Sequence, residues 1–303
     1  MKKGKVIRSP FFYTGDKYKL IPELKKYFPN EIEKFIEPFV GGGSVFLNVN
    51  AKEFYENDID KNIMSIHNYL SSFSSSEELL NILFSKIDEY HFTCSYIGKT
   101  VPQELKDKYV KTYFAKYNAE FYKRLKEKYN ASDRKDIADL YLLLIYGFNR
   151  MLRFNQKGNF NLPVGNVDFN QNAVDALTNY VNLTNQKKIH WSNKDYKSFL
   201  SKITITEKDF VYLDPPYLIT TSEYNKLWNQ KDDDELCSLL DKLNKKKIRF
   251  ALSNVVNYKE KENAKLLNWA KKYNIYPIKS NYINYHDNRV KSFSEVLITN
   301  YGK

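Results

Sequence analysis

Phe210-Val211-Tyr212-Leu213-Asp214-Pro215-Pro216-Tyr217 holds a buried-looking strand and its abrupt end. Residues that favour strands stop at an acid, and the paired prolines exclude a continuing strand or helix. In an open α/β sheet, ligands sit at the carboxyl ends of strands. A carboxylate, prolyl carbonyls without competing N–H groups and a flat ring suit the holding of an amino group on a planar base. On its own the tetrapeptide is also an ordinary surface turn; its place directly after an apolar strand favours a site.

A second strand end lies far upstream, in Phe35-Ile36-Glu37-Pro38-Phe39-Val40-Gly41-Gly42-Gly43-Ser44-Val45-Phe46-Leu47. The spacing predicts a strand ending at Glu37, a glycine turn that lets the backbone approach a ligand, and an apolar helix starting near Ser44 with free N–H groups. The stretch is neither a GxGxxG fingerprint nor a phosphate loop, so it does not point to a dinucleotide or ATP. Glu53-Phe54-Tyr55-Glu56-Asn57-Asp58 then predicts a second strand that ends at an acid placed to bond ribose hydroxyls.

From about Ile189-His190-Trp191 to the end, further strands are expected at Phe210–Leu213, Ile248–Leu252, Ile275–Ile278 and Glu295–Thr299, with helices at Asp232–Lys245 and Lys261–Lys272. This alternation predicts one parallel-rich sheet with helices on both faces. Between its two halves, Glu77–Glu89, Gln103–Tyr129 and Lys135–Tyr146 carry helical apolar spacing, and 148–172 is rich in Asn and Gly without a period. Residues 61–187 therefore read as a mostly helical insertion that ends in functional loops.

Composition narrows the partners. The 303 residues carry 48 Lys and Arg against 36 Asp and Glu, a net charge of +12, which suits a polyanion. Two cysteines, Cys94 and Cys237, make neither a disulfide framework nor a zinc site, and no metal is expected. No long apolar stretch follows the basic start, and the run Leu140–Phe148 is too short to span a bilayer. A soluble, cytoplasmic protein is expected.

Tyr13-Thr14-Gly15-Asp16-Lys17, Glu37-Pro38-Phe39-Val40-Gly41-Gly42-Gly43-Ser44-Val45-Phe46, Asn57-Asp58-Ile59, Asp214-Pro215-Pro216-Tyr217, Leu252-Ser253-Asn254 and Glu295-Val296-Leu297-Ile298-Thr299-Asn300 occur in that order. In this the chain resembles, over nearly its whole length, the Dam-like DNA adenine-N6 methyltransferases (D12 class, alpha group). The resemblance implies a Rossmann-like methyltransferase sheet, mostly parallel and doubly wound, built from residues 1–60 and 188–303. Residues 61–187 would be an inserted, mostly helical target-recognition domain. It also implies S-adenosyl-L-methionine as cofactor and double-stranded DNA as substrate.

For the cofactor, the resemblance points to Tyr13, Lys17, Glu37, Phe39, Gly41, Asp58, Ile59 and Asp214, with Asp195 and Tyr196 near its adenine. Asp195 alone reads equally as a helix cap. For catalysis, Asp214 would accept one N6 hydrogen, the Pro215 carbonyl the other, and Tyr217 would stack on the base. No covalent intermediate is needed, and neither cysteine stands in the Pro-Cys dipeptide through which cytosine-C5 methyltransferases attack. The segment from Asn149 to Asn155 places Arg150 and Arg153 beside two amides, chemistry that reads guanine and adenine edges.

The resemblance makes Phe148 and Asn149 a wedge that fills the gap of a displaced base, Arg153 a base reader and Pro163 a contact for a thymine methyl. Arg289 and Lys291, just before the final strand, would clamp phosphate or else lie on an exposed mobile loop. Family members commonly read GATC or sequences containing it. Two departures bear on that: Phe12 stands where a basic residue is usual, and Arg150-Met151-Leu152 replaces a Gly-containing stretch. Tyr13 also replaces a usual tryptophan. The same fold acting on cytosine N4, an RNA base or a glutamine amide stays open, as does a catalytically inactive DNA-binding regulator. The protein is expected to act as a monomer, alone or with a cognate restriction endonuclease for the same site.

Overall fold

The computed structural model describes residues 6–302 apart from 14, 134, 221–227 and 279–292. The strands are β1 (Lys34–Glu37), β2 (Glu53–Asn57), β3 (Lys188–Ser192), β4 (Phe210–Leu213), β5 (Arg249–Tyr258), β6 (Lys261–Glu262), β7 (Asn274–Ile278) and β8 (Phe293–Thr299). They form one sheet in the order β3-β2-β1-β4-β5-β8-β7, with β6 paired to the end of β5. The five strands from β3 to β5 are parallel, whereas β8 runs antiparallel to both β5 and β7.

Alternate side chains of the central strands enter opposite cores, as strands buried on both faces require. Phe210 and Tyr212 face one core and Val211 and Leu213 the other; Phe35 and Ile36 divide likewise. Helices α1 (Ile21–Leu24), α2 (Lys61–Ser71), α3 (Ser76–Glu89), α6 (Ile137–Tyr146) and α7 (Gln171–Gln186) contribute to the first core. Helices α8 (Tyr196–Ser201), α9 (Gln230–Lys245) and α10 (Ala264–Ala270) fill the second. The sheet is thus doubly wound and Rossmann-like. Apolar side chains from residues 61–187 share one continuous core with Phe35, Phe54 and Phe210 of the sheet. Among the described residues, no helix is long and apolar enough to cross a membrane.

Three local expectations need correction. No α-helix follows the glycine turn; a single 3-10 turn at Phe46–Asn48 stands there. It ends at once because Asn48 binds Ile7 and Ser44 carbonyls, and Lys187 Nζ donates to the carbonyls of Phe46 and Val49. The helix expected over Gln103–Tyr129 is two, α4 (Gln103–Lys108) and α5 (Tyr113–Ala131). α4 buries no side chain fully, so nothing holds it in line with α5, which buries Asn118, Tyr122, Leu125 and Tyr129. Over Lys261–Lys272, β5 first turns back through Lys259 to pair with β6, and only then does Asn263 cap α10.

The chain builds β1, β2 and β3 outward on one side, then returns to place β4 and β5 on the other side of β1. The crevice at the carboxyl ends of β1 and β4 is therefore the topological switch point, where such sheets bind ligands. Ile36 pairs with Val211, and carrying that register forward sets residue 39 level with Asp214. The two strand ends found in the sequence meet there.

Candidate active site at the switch point

The glycine turn is shaped around Asp58. Gly41 has φ +48 and its N–H donates to Asp58 Oδ2 at 3.0 Å, while the Asp60 N–H donates to Oδ1 at 2.9 Å. Burial pushes the Asp58 carboxyl up to about 6 against the pull of these N–H groups. Behind the turn, buried His67 bridges the Gly41 carbonyl (2.8 Å) and the Tyr180 hydroxyl (2.7 Å), and stacks on Trp191. Burial lowers its imidazole to about 4, so it is neutral, with Nε2–H donating to Gly41 and Nδ1 accepting from Tyr180. Asn57 ties the neighbouring strand ends by donating to the carbonyls of Pro38 and Lys194.

Asp214 sits in a ring of charged and hydroxyl groups. Lys17 Nζ lies 2.7 Å from Asp214 Oδ2 and donates to the Tyr217 hydroxyl at 2.6 Å; that hydroxyl donates to Asp214 Oδ1 at 2.6 Å. Glu295, from β8, lies 3.6 Å from the same ammonium. Pro215 is buried beneath the turn. Glu37 faces Glu56 across the β1–β2 pair, and both are fully desolvated. Burial first, then the neighbouring Glu56 and Asp214 charges, raise Glu37 well above the ordinary glutamate value; burial also raises Glu56 and Glu295. The Glu37–Glu56 pair holds protons where isolated glutamates would be ionised.

Aromatic and apolar walls complete the crevice. Phe39 packs against Tyr196 and Trp228 at centroid distances of 5.2 and 5.9 Å. Ile59 is 71% exposed immediately after Asp58. Asp195 is an exposed N-cap whose Oδ1 accepts from Lys197 and Ser198 N–H groups. Tyr13 packs on Gly42, where an added Cβ would come within 3.2 Å of the Tyr13 Cβ. A carboxylate at a strand tip, an open glycine backbone and flanking apolar surfaces fit a nucleoside: hydroxyls on Asp58, ring against Ile59 or the aromatic group.

The expected recognition residues follow α6. Phe148 is 52% exposed beside exposed Pro163, whose carbonyl accepts the Phe148 N–H at 2.9 Å. Asn149 and Arg150 both have left-handed backbone, with φ +55 and +49. Arg153 and Asn155 lie on a small hairpin closed by the Phe154–Phe160 bridge. The Arg153 guanidinium is held by Asn161 through Nε (3.0 Å) and a terminal nitrogen (2.7 Å), and Asn155 Oδ1 accepts the Lys157 and Asn159 N–H groups. Arg289 and Lys291 lie outside the described residues.

One N-terminal segment connects these parts. Ser9 Oγ donates to the Gly42 carbonyl, Phe12 meets Arg150, and Lys17 meets Asp214. Sequence reasoning missed His67, Tyr180, Glu56 and Glu295 as site residues. Glu295 left a signal, an acid inside an otherwise apolar strand; Glu56 becomes conspicuous only once it is paired with Glu37.

Comparison with known proteins adds the lineage. A family profile for D12 class N6 adenine-specific DNA methyltransferase matches residues 13–283. Type II methyltransferase M.FokI of Planomicrobium okeanokoites is 33% identical over 99% of this chain and 44% of its own length. Modification methylase StsI of Streptococcus sanguinis is 33% identical over 98% of this chain and 43% of its own length. DNA adenine methylase of Haemophilus influenzae is 30% identical over 74% of this chain and 68% of its own length. The chain spans less than half the length of the first two. The matched span takes in Asp58 and Asp214-Pro215-Pro216-Tyr217, and the chain belongs to the D12 class N6 adenine-specific DNA methyltransferase family.

Proposed function

We propose that this chain transfers a methyl group from S-adenosyl-L-methionine to N6 of an adenine rotated out of duplex DNA. The observation that carries the reading is the meeting of Asp58, the glycine turn and Asp214-Pro215-Pro216-Tyr217 at one switch point, with family membership behind it. The sulfonium of the cofactor supplies an electrophilic methyl. The protein's task is to hold a weakly nucleophilic amine in line with it.

Asp214 accepts one N6 hydrogen. Its oxygens already take bonds from Lys17 and Tyr217, but each carboxylate oxygen has a second lone pair, so the base amine adds without breaking the ion pair. The Pro215 carbonyl accepts the other hydrogen. Tyr217, oriented through its hydroxyl, offers its ring to the base. Asp58 holds the cofactor ribose, and Ile59 and Phe39 flank its adenine. Extrusion of the target costs a few kcal/mol, about the cost of unstacking one base, and exposed Phe148 fills the gap.

Residues 1–60 and 188–303 act as the catalytic part and 61–187 as the target-recognition part. The net charge of +12 supports duplex DNA as the partner. The modification methylases among the relatives support a companion endonuclease for the same site; a monomer, acting on one strand at a time in the cytoplasm, suffices for the chemistry. Incubation with labelled S-adenosylmethionine and duplex DNA tests the reading. Label recovered as N6-methyladenine supports it; label on cytosine, RNA or protein instead defeats it.

A further inference from the structure

Arg150 lies over the Phe12 ring, its guanidinium carbon 4.3 Å from the centroid. Phe12 has φ +49 and Arg150 the same value, so two left-handed non-glycine residues meet face to face. The contact is fixed from beneath. Tyr141 of buried α6 donates to the Pro10 carbonyl at 2.9 Å, holding the Phe12 segment, and Gly165 lets the loop strands approach so closely that a Cβ would fall 2.6 Å from the Gly147 carbonyl. A cavity of about 420 Å³ opens here, lined by Phe12, Phe148, Asn149 and Arg150 among others. The Arg150 Nε is buried and makes no hydrogen bond.

We propose that Arg150, carried on Phe12, is a specificity-determining residue that reads the major-groove edge of a guanine beside the target adenine. The inference rests on the methylation reading above. A guanidinium held over an aromatic ring presents a fork of donors to a partner, and O6 with N7 of guanine matches such a fork. An unmet buried donor is costly. Arg153 differs: its Nε and one terminal nitrogen are already engaged by Asn161. Arg150 is therefore proposed as a reader in addition to Arg153.

The test methylates a pool of duplexes randomised around an adenine, using labelled S-adenosylmethionine, and sequences the marked molecules. Arg150→Ala should lose about ten- to hundredfold of the preference at one G·C pair while keeping preferences elsewhere. Arg150→Lys should not restore it, because an ammonium cannot make the paired contact, and Phe12→Leu should weaken the same position. Cofactor binding by each variant reports that it is folded, and Arg150→Lys keeps charge and packing if Arg150→Ala does not fold. An unchanged preference profile with uniformly weaker binding, restored by Arg150→Lys, would make Arg150 a phosphate contact and overturn the proposal. Loss of that position in Arg153→Ala but not in Arg150→Ala overturns it equally. A wild-type protein that marks no adenine in the pool fails the functional reading itself.

Discussion

Asp58 shows how one carboxyl acquires a pH dependence from its place at a strand tip. Burial moves it from its usual 3.8 to about 6, so its protonated form persists to a higher pH than that of an exposed aspartate. Ribose hydroxyls need the carboxylate as acceptor. Cofactor affinity should therefore be full above about pH 7 and fall as pH drops through 6. Calorimetric titration from pH 5 to 8 checks this, and Asp58→Asn should flatten the profile while weakening binding about tenfold or more at pH 8; a profile unchanged by that substitution rules Asp58 out. Asp214→Ala should reduce single-turnover methylation by about a hundredfold or more, with DNA binding by gel shift largely kept. Near-normal turnover would remove Asp214 from the chemistry.

At the scale of elements, the glycine turn and the β1–β2 pair are the parts under most constraint. Gly43 has φ +77, and an added Cβ would lie 2.3 Å from the buried Phe46 ring. Gly43→Ala should cost roughly 2–4 kcal/mol in urea unfolding from backbone strain plus overpacking. The Glu37–Glu56 pair gives a second prediction. Both folded-state values are raised, so the native state binds more protons than the unfolded chain above about pH 4.5, and stability falls as pH rises through that window. Glu37→Gln should flatten that slope by up to one proton, about 1.4 kcal/mol per pH unit; an unaltered slope would show the pair to be ionised. The strands of this region were legible because apolar runs stop at acids. The helix after Ser44 was not: side-chain bonds from Asn48 and Lys187, the latter 139 positions downstream of Asn48 in the sequence, end the turn. Nor could local pattern reveal Asn149 and Arg150 in left-handed backbone, since neither is a glycine. The site's acids were half legible, Asp58 and Asp214 from strand ends, Glu56 only through register.

For the whole molecule, charge and topology set the behaviour. A net charge of +12 should make duplex binding strongly salt-dependent, with the dissociation constant rising more than about tenfold between 50 and 200 mM salt. A flat response, measured by fluorescence anisotropy, would separate the charge from DNA binding. The segment from Ser9 to Lys17 reaches the glycine turn, the Phe148–Arg150 turn and Asp214, so these three parts are mechanically joined through one short piece of chain.

β8 follows β7 in the sequence yet lies inside it in the sheet, between β5 and β7. During synthesis, β7 therefore leaves the ribosome with no neighbour to pair with, and Asp214 and Lys17 await the carboxylate of Glu295. Translation has to run through residue 299 before this edge of the sheet can close and Glu295 can take its place beside Lys17.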